Sequence, residues 1–510
     1  MKKLKIVLLI IAIAILSLLL YLNSYPGDYF MIKCNGILFE PTGDGLQSAI
    51  DSLNGETGIV WLPRWGTVVV EEGNPVYMTE DSTLAGATGI IGNSVLELYE
   101  DINVINVNNV HFSDFKVTGV RGLKVASNID VSGFTFKNIW AQDIKYDYTD
   151  KRLHGFIFIN PNGDTTISDI HIDNLHAERI DTMAIYFSSG DITKGVIKDV
   201  LVENCYAKTC GTTGARQWAA CYDFAEALLR VENILVRNCH AEDGYESGFH
   251  MENNPEKVNV VYENCTSVNN GNRKESPSFA SGFLVGNGMT LRNCESMNNG
   301  LSGYRTNNVN SGEAHILDCI DDGSSVGLVG SNNDGDFYIS NFKTKNNHEC
   351  GVKIVGAENY HIENMEIENC GGDGREYNNL LSSNENPSIN CEFDIKIRND
   401  YKNEETVKVQ GASNLDLKLD IKTESDYGLL LWGCNSIKVF DTYIDSTGEQ
   451  AIRGYGELID VCVKSTRIEN SKGSPMLEYG IYSINSPIHV EQDTVIVEDA
   501  ITPFFNCDLY

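Results

Sequence analysis

Five side chains able to do acid–base or charge-stabilising chemistry fall at equivalent places in one repeated phrase, and a sixth lies just beyond one copy of it. The phrase is Gly-apolar-x-apolar, or a close variant. Its variable third residue is Tyr186 in 184–187, Asp223 in 221–224, His250 in 248–251, Arg305 in 303–306 and Lys353 in 351–354. Ile157, Leu284 and Val329 fill the same place in 155–158, 282–285 and 327–330, and Leu430, Arg453 and Tyr482 do so later. Glu252, two residues after His250, belongs on the same side of a strand. In β-elimination from a carboxylate-bearing substrate, Arg305, or a cation held by Asp223 and Glu252, would neutralise the carboxylate while His250 or Tyr186 removes the proton beside it. In hydrolysis, Asp223 and Glu252 would serve as paired carboxylates, one protonated and one ionised. Asp223, His250 and Arg305 are therefore the catalytic candidates, and Tyr186, Glu252 and Lys353 the substrate-binding ones. The competing reading makes all six ordinary surface residues of a repeat.

Such a row exists only if the strands stack in register. Strand-like runs end on Asn138, Asn174, Asn204, Asn238, Asn264 and Asn293, separated by 36, 30, 34, 26 and 29 residues, and Asp318 follows after 25. A period of this size marks one supersecondary unit stacked on copies of itself. The runs alternate apolar and polar residues, and no helical periodicity lies between them, so the coils consist of strands and turns. Asn tolerates left-handed corners and can bond its copy in the next coil, which accounts for the landmark. Cys205, Cys239, Cys265, Cys294 and Cys319 then turn inward as small apolar fillers. A chain of 510 residues buries a large core without staples, although a Cys205–Cys210 disulfide stays open. No cysteine spacing suits zinc, and no metal site is identified.

The alternation, the Asn and Cys landmarks and the Gly-apolar-x-apolar strands resemble the right-handed parallel β-helix proteins of the pectate-lyase-like superfamily, over residues 40–510. The resemblance implies an all-β, single-stranded solenoid with an N-terminal capping helix. Leu46, Ala49, Ile50 and Leu53 share a helical face, Asp44 with Gln47 resembles a capping box, and Gly55 can end the helix. It also implies work on a polysaccharide along an exterior strand face, as lyase, hydrolase or epimerase. The Asp-Pro-His motif of mannuronan epimerases, the Gly-His-Gly and Arg-Ile-Lys pair of polygalacturonases and the Asp-rich calcium signature of pectate lyases are all missing. No cofactor is identified, and Ca2+ has no motif behind it.

At the N-terminus, Lys2, Lys3 and Lys5 precede an apolar run from Ile6 to Leu22 with no small-x-small cleavage site close behind. This predicts a signal anchor and transmembrane helix over 1–24, a linker over 25–39 and the β-helix over 40–510, outside a cell membrane crossed once; the alternative is secretion after cleavage. With 39 basic and 71 acidic residues the net charge is -32, which repels nucleic acid. The expected partner is a polysaccharide or glycan, with the membrane held by the first helix; the pattern leaves oligomeric state open. A noncatalytic, adhesin-like surface β-helix is the alternative function.

Overall fold

The computed structural model describes residues 10–17 and 25–510, except 88–92, 146–154, 212–218, 252–255, 274–275, 277–279, 307–311, 334, 373 and 473–476. It is a parallel β-helix made of two stacked-strand surfaces. Sheet I carries the Asn landmarks. Sheet II, with seventeen strands among the described residues, carries the Gly-apolar-x-apolar phrases.

Sheet I turns corners on single residues with left-handed backbone. Asp199, Asn204 and Thr209 have φ of 57°, 56° and 57°, and Asn233, Asn238 and Asp243 repeat this in the next coil at 53°, 53° and 56°. Asn259, Asn264 and Asn269 follow, so corners recur every five residues within these coils. Asn and Asp suit this geometry because their short polar side chains pay little for it and bond locally. The expected ladder is present: Asn341 donates to Asp318 at 2.8 Å and accepts from Asn364 at 2.8 Å, and Asn259 donates to Asn233 at 3.0 Å.

All fourteen cysteines are free thiols, twelve of them buried. Cys205, Cys239, Cys265, Cys294 and Cys319 line the core just past a corner, as expected, and the Cys205–Cys210 bridge does not form. Beside them Tyr222, Phe249, Phe283 and Tyr304 stack from coil to coil at 4.9–5.1 Å.

A second interior column is polar. Ser267, Ser296, Asp321 and Thr344 occupy one register position on successive coils. Asn270, Asn299, Ser324 and Asn347 stand beside them and close a continuous hydrogen-bonded chain. The glycine that opens the repeat makes room for it. A Cβ on Gly303 would collide with Asp321 Oδ1.

The first coil is closed by a helix, Gly43–Asp51, whose Leu46, Ala49 and Ile50 are fully buried. Its N-cap is Thr42, which accepts from Gly45 N at 3.1 Å, rather than the expected Asp44–Gln47 box; Gln47 instead donates to Asp51. The helix ends at Asp51 with Ser52 as C-cap, before Gly55. The stretch read as a linker contains strands Ile32–Cys34 and Ile37–Phe39, which pair antiparallel, and the first of them also pairs with Gly58–Trp61. Of the expected membrane span only residues 10–17 are described; they are helical and exposed, and the rest of that prediction lies outside the described residues. No helix among the described residues is long and apolar enough to cross a membrane.

Candidate functional site

The register of sheet II places the variable residues in one row. Lys124 pairs with Phe158, Phe158 with Tyr186, Tyr186 with Asp223 and Asp223 with His250. Leu284 pairs with Arg305, Arg305 with Val329 and Val329 with Lys353. The row member expected at Ile157 is Phe158. Ile157 points into the core at 0% exposure, because the true counterpart of the repeat's opening glycine is Phe156, not Gly155.

Tyr186, Asp223 and His250 form a cluster that flanking segments bury almost completely, at 2, 3 and 5% exposure. The Tyr186 phenol stacks on Phe158 with ring centres 5.2 Å apart and donates to Glu226 Oε2 at 2.7 Å. His250 Nδ1 lies 2.8 Å from Glu246 Oε1. Asp223 Oδ1 accepts from Ala225 N at 3.2 Å. Burial pushes the Asp223 carboxyl far above the usual range; His250 opposes this, while the negative fields of Glu226 and Glu246 add to it. Burial, then Glu226 and Asp223, likewise raise the Tyr186 phenol. Burial thus favours the neutral form of both groups.

Glu226 and Glu246 are the functional candidates that the repeat did not reveal. Glu226 follows its strand's apolar positions, and a bulge sets it opposite Ser188 instead of continuing the alternation. Bulges beside sites commonly re-aim a side chain in this way. The pattern carries no signal for either residue, since both lie outside the four-residue phrase.

Tyr186 and Glu226 open on a cleft of about 570 Å³, also lined by Lys124, Phe158, Asn160 and Ser188. An aromatic face, amides, hydroxyls and a carboxylate in one cleft suit a polyhydroxylated ligand. Arg305 stands apart, with Leu284 between it and the His250 coil. It is half-buried, burial lowers its pKa, and it makes no ion pair among the described residues. Lys353 is two coils further along and pairs with Glu349 at 3.2 Å. Glu252 lies outside the described residues. The six candidates thus separate into a tight group of three, two outlying cations and one undescribed residue.

Beyond Lys353 the row continues through Leu380, Lys408, Leu430 and Arg453. A parallel row carries Tyr377, Glu405, Tyr427 and Gln450. Lys408, 4% exposed, is held by Glu376, and Arg453 lies over the Tyr427 ring at 4.4 Å. Burial, with Glu404 adding to it, pushes Glu405 up to about 8. A cleft of about 640 Å³ opens beside Glu376 and Tyr427.

On sheet I, His171, Asp173 and Glu203 are close enough to hold a metal ion. Their charges are already matched. Arg237 donates to Glu203 Oε2 at 2.9 and 2.6 Å, His171 Nε2 lies 2.9 Å from Oε1, and Lys137 is 3.7 Å from Asp173. This is an ion-pair network.

Comparison with known proteins assigns no family. No family model and no curated protein matches the chain. Solved structures similar to it include a tailspike of Acinetobacter baumannii bacteriophage Fri1, a capsular polysaccharide depolymerase, at 11% identity and TM-score 0.32 over 72% of this chain and 56% of that one. Another is the A-module of the Azotobacter vinelandii mannuronan C-5 epimerase AlgE4, at 14% and 0.29 over 84% and 92%. A third is the pre-mature gene product 12 of bacteriophage phi29, at 13% and 0.38 over 98% and 75%. What they share with this chain is the right-handed parallel β-helix. At these identities and scores none bears on its activity.

Proposed function

We propose that this chain is a membrane-tethered protein, facing outward, that binds a polysaccharide along sheet II and cleaves its glycosidic bonds at the Tyr186–Asp223–Glu226 end. The observation that carries this is the buried group of Tyr186, Asp223 and His250, with Glu226 and Glu246, at the edge of an open cleft. Asp223, whose neutral form burial favours, is on the same strand as the cleft-wall Glu226 and is the acid that would protonate a departing glycosidic oxygen; Glu226 is the carboxylate that would take a proton from the attacking water, a proton that then returns to Asp223. Water supplies the hydroxyl that completes the new reducing end. Hydrolysis is the preferred reading because two carboxyl groups, Asp223 and Glu226, stand on one strand at the cleft.

The test incubates the protein with uronate-containing and neutral polysaccharides and follows new reducing ends and unsaturated products. Reducing ends without unsaturation are expected, with Asp223→Asn and Glu226→Gln each slower by about 10²- to 10⁴-fold. Unchanged rates in both variants would remove this centre. The cleft at Glu376 and Tyr427, with Arg453 over the Tyr427 ring, favours a second, noncatalytic reading, in which a glycan is only held; retention of polysaccharide with no new ends would establish it. The tether rests on the basic start and the Ile6–Leu22 run, and a mature N-terminus beyond residue 22 would overturn it.

A further inference from the structure

The rim of the first coil carries apolar groups that the capping helix does not explain. At the other end of the molecule, exposed residues such as Ile501 and Phe505 belong to the bare last coil of the stack. At the N-terminal end the core is already closed by Gly43–Asp51, yet Phe30, Ile37, Leu38 and Trp65 remain 65, 55, 51 and 38% exposed. Ile37 and Leu38 are adjacent on the outermost strand, which pairs with Ile32–Cys34 through the tight Asn35–Gly36 turn and presents both faces to solvent. Trp65 stacks on Tyr29 at 5.0 Å and touches Phe30 at 6.0 Å.

The chain enters this rim at a fixed point. Tyr25 packs edge-on against Trp61 at 5.7 Å, its hydroxyl donates to Leu62 O, and the Arg64 guanidinium lies over its ring at 4.7 Å. Only Asn23 and Ser24 separate Tyr25 from the end of the Ile6–Leu22 run. Covalent geometry then allows no more than about 11 Å between Leu22 and Tyr25. If the run lies in a bilayer, the rim has no room to stand clear of the headgroups. Aromatic and aliphatic side chains at that depth are what membrane interfaces favour.

We propose that the rim formed by Phe30, Trp65 and the Ile37–Leu38 strand is a lipid-contact surface on which the β-helix stands, its axis rising from the membrane. This rests on the tether reading above and adds the contact of the folded domain with the bilayer. The tryptophans allow a test that separates the two, because the first of them in the sequence is Trp61 and the anchor run contains none. Full-length protein is reconstituted into phosphatidylcholine–phosphatidylglycerol vesicles containing lipid brominated near the top of its acyl chains. Flotation after alkaline washing reports the tether, and fluorescence quenching reports the rim. The expected result is flotation with quenching that falls at least twofold in Trp65→Phe, falls similarly in Leu38→Asp, and is unchanged in Trp432→Phe at the far end. Flotation with no quenching, or with equal quenching in wild type and Trp65→Phe, overturns the standing rim while keeping the tether. Loss of flotation overturns the tether and, with it, the proposal.

Discussion

Asp321 gives the most quantitative handle on this structure. It is fully buried in the polar column, where it accepts from Ser296 Oγ at 2.7 Å, Ser324 Oγ at 2.6 Å and Asn347 Nδ2 at 2.5 Å. Burial outweighs these bonds and pushes its carboxyl up to about 7, against 3.8 for the ordinary group. Between those values the folded state holds a proton that the unfolded state has lost, so stability falls as pH rises from about 4 to about 7 and is level above. Three pH units at about 1.36 kcal/mol each make this roughly 4 kcal/mol. Asp321→Asn keeps the shape and removes the titration. Its amide rearranges about one hydrogen bond, a loss of about 1 kcal/mol, so the variant is expected to be less stable than wild type near pH 4 and more stable by about 3 kcal/mol at pH 8. Because each coil contacts mainly its neighbours, the effect is local. Hydrogen exchange followed by mass spectrometry on peptides spanning 290–350 reads it directly. Protection that changes with pH identically in wild type and variant, after correction for intrinsic exchange, would refute the reasoning.

Two further outcomes follow from the scaffold. At the Asn341 corner, with φ of 52°, Asn341→Gly should lose only the ladder bonds to Asp318 and Asn364, whereas Asn341→Ala should lose the same bonds and add about 1 kcal/mol of left-handed strain; chemical denaturation of the two variants measures the difference, and equal stabilities would contradict it. With all fourteen cysteines free and twelve buried, a reductant should leave the melting temperature unchanged, and a thiol reagent should label no more than Cys462 and Cys507 quickly in native protein; a melting temperature that drops with reductant would contradict this.

The scaffold was legible because its constraints repeat. A left-handed corner admits few residue types, so Asn138 through Asn293 could be recognised one by one, and the cysteines beside them followed. The site was only half legible. Tyr186, Asp223 and His250 were visible as deviations within a fixed phrase, but the phrase does not encode what closes over them; a row expected on an open face is buried. Gly155 misled by one position because a glycine was taken as the start of the repeat where the chain places Phe156. Glu226 depends on a bulge and Glu246 on a turn, both set by tertiary packing. Lys408 and Glu405 lay in a segment whose alternation lapses while its strands continue.

The five-residue corner spacing divides each coil into a metered part and an unmetered one. From Asp199 to Thr209, Asn233 to Asp243 and Asn259 to Asn269 the distance is ten residues every time. From Thr209 to the first sheet I corner of the next coil, Asn233, it is 24, from Asp243 to Asn259 it is 16, and from Asn269 to Gly288 it is 19. In these three coils the variation in length therefore falls on the side that carries sheet II and its flanking loops. An insertion there lengthens a cleft wall without moving a single corner, whereas one inserted residue between corners would shift every downstream pair in that coil to the opposite face. The molecule behaves as a ruler on one side and a set of interchangeable jaws on the other, which lets specificity drift while the frame that holds it stays in step.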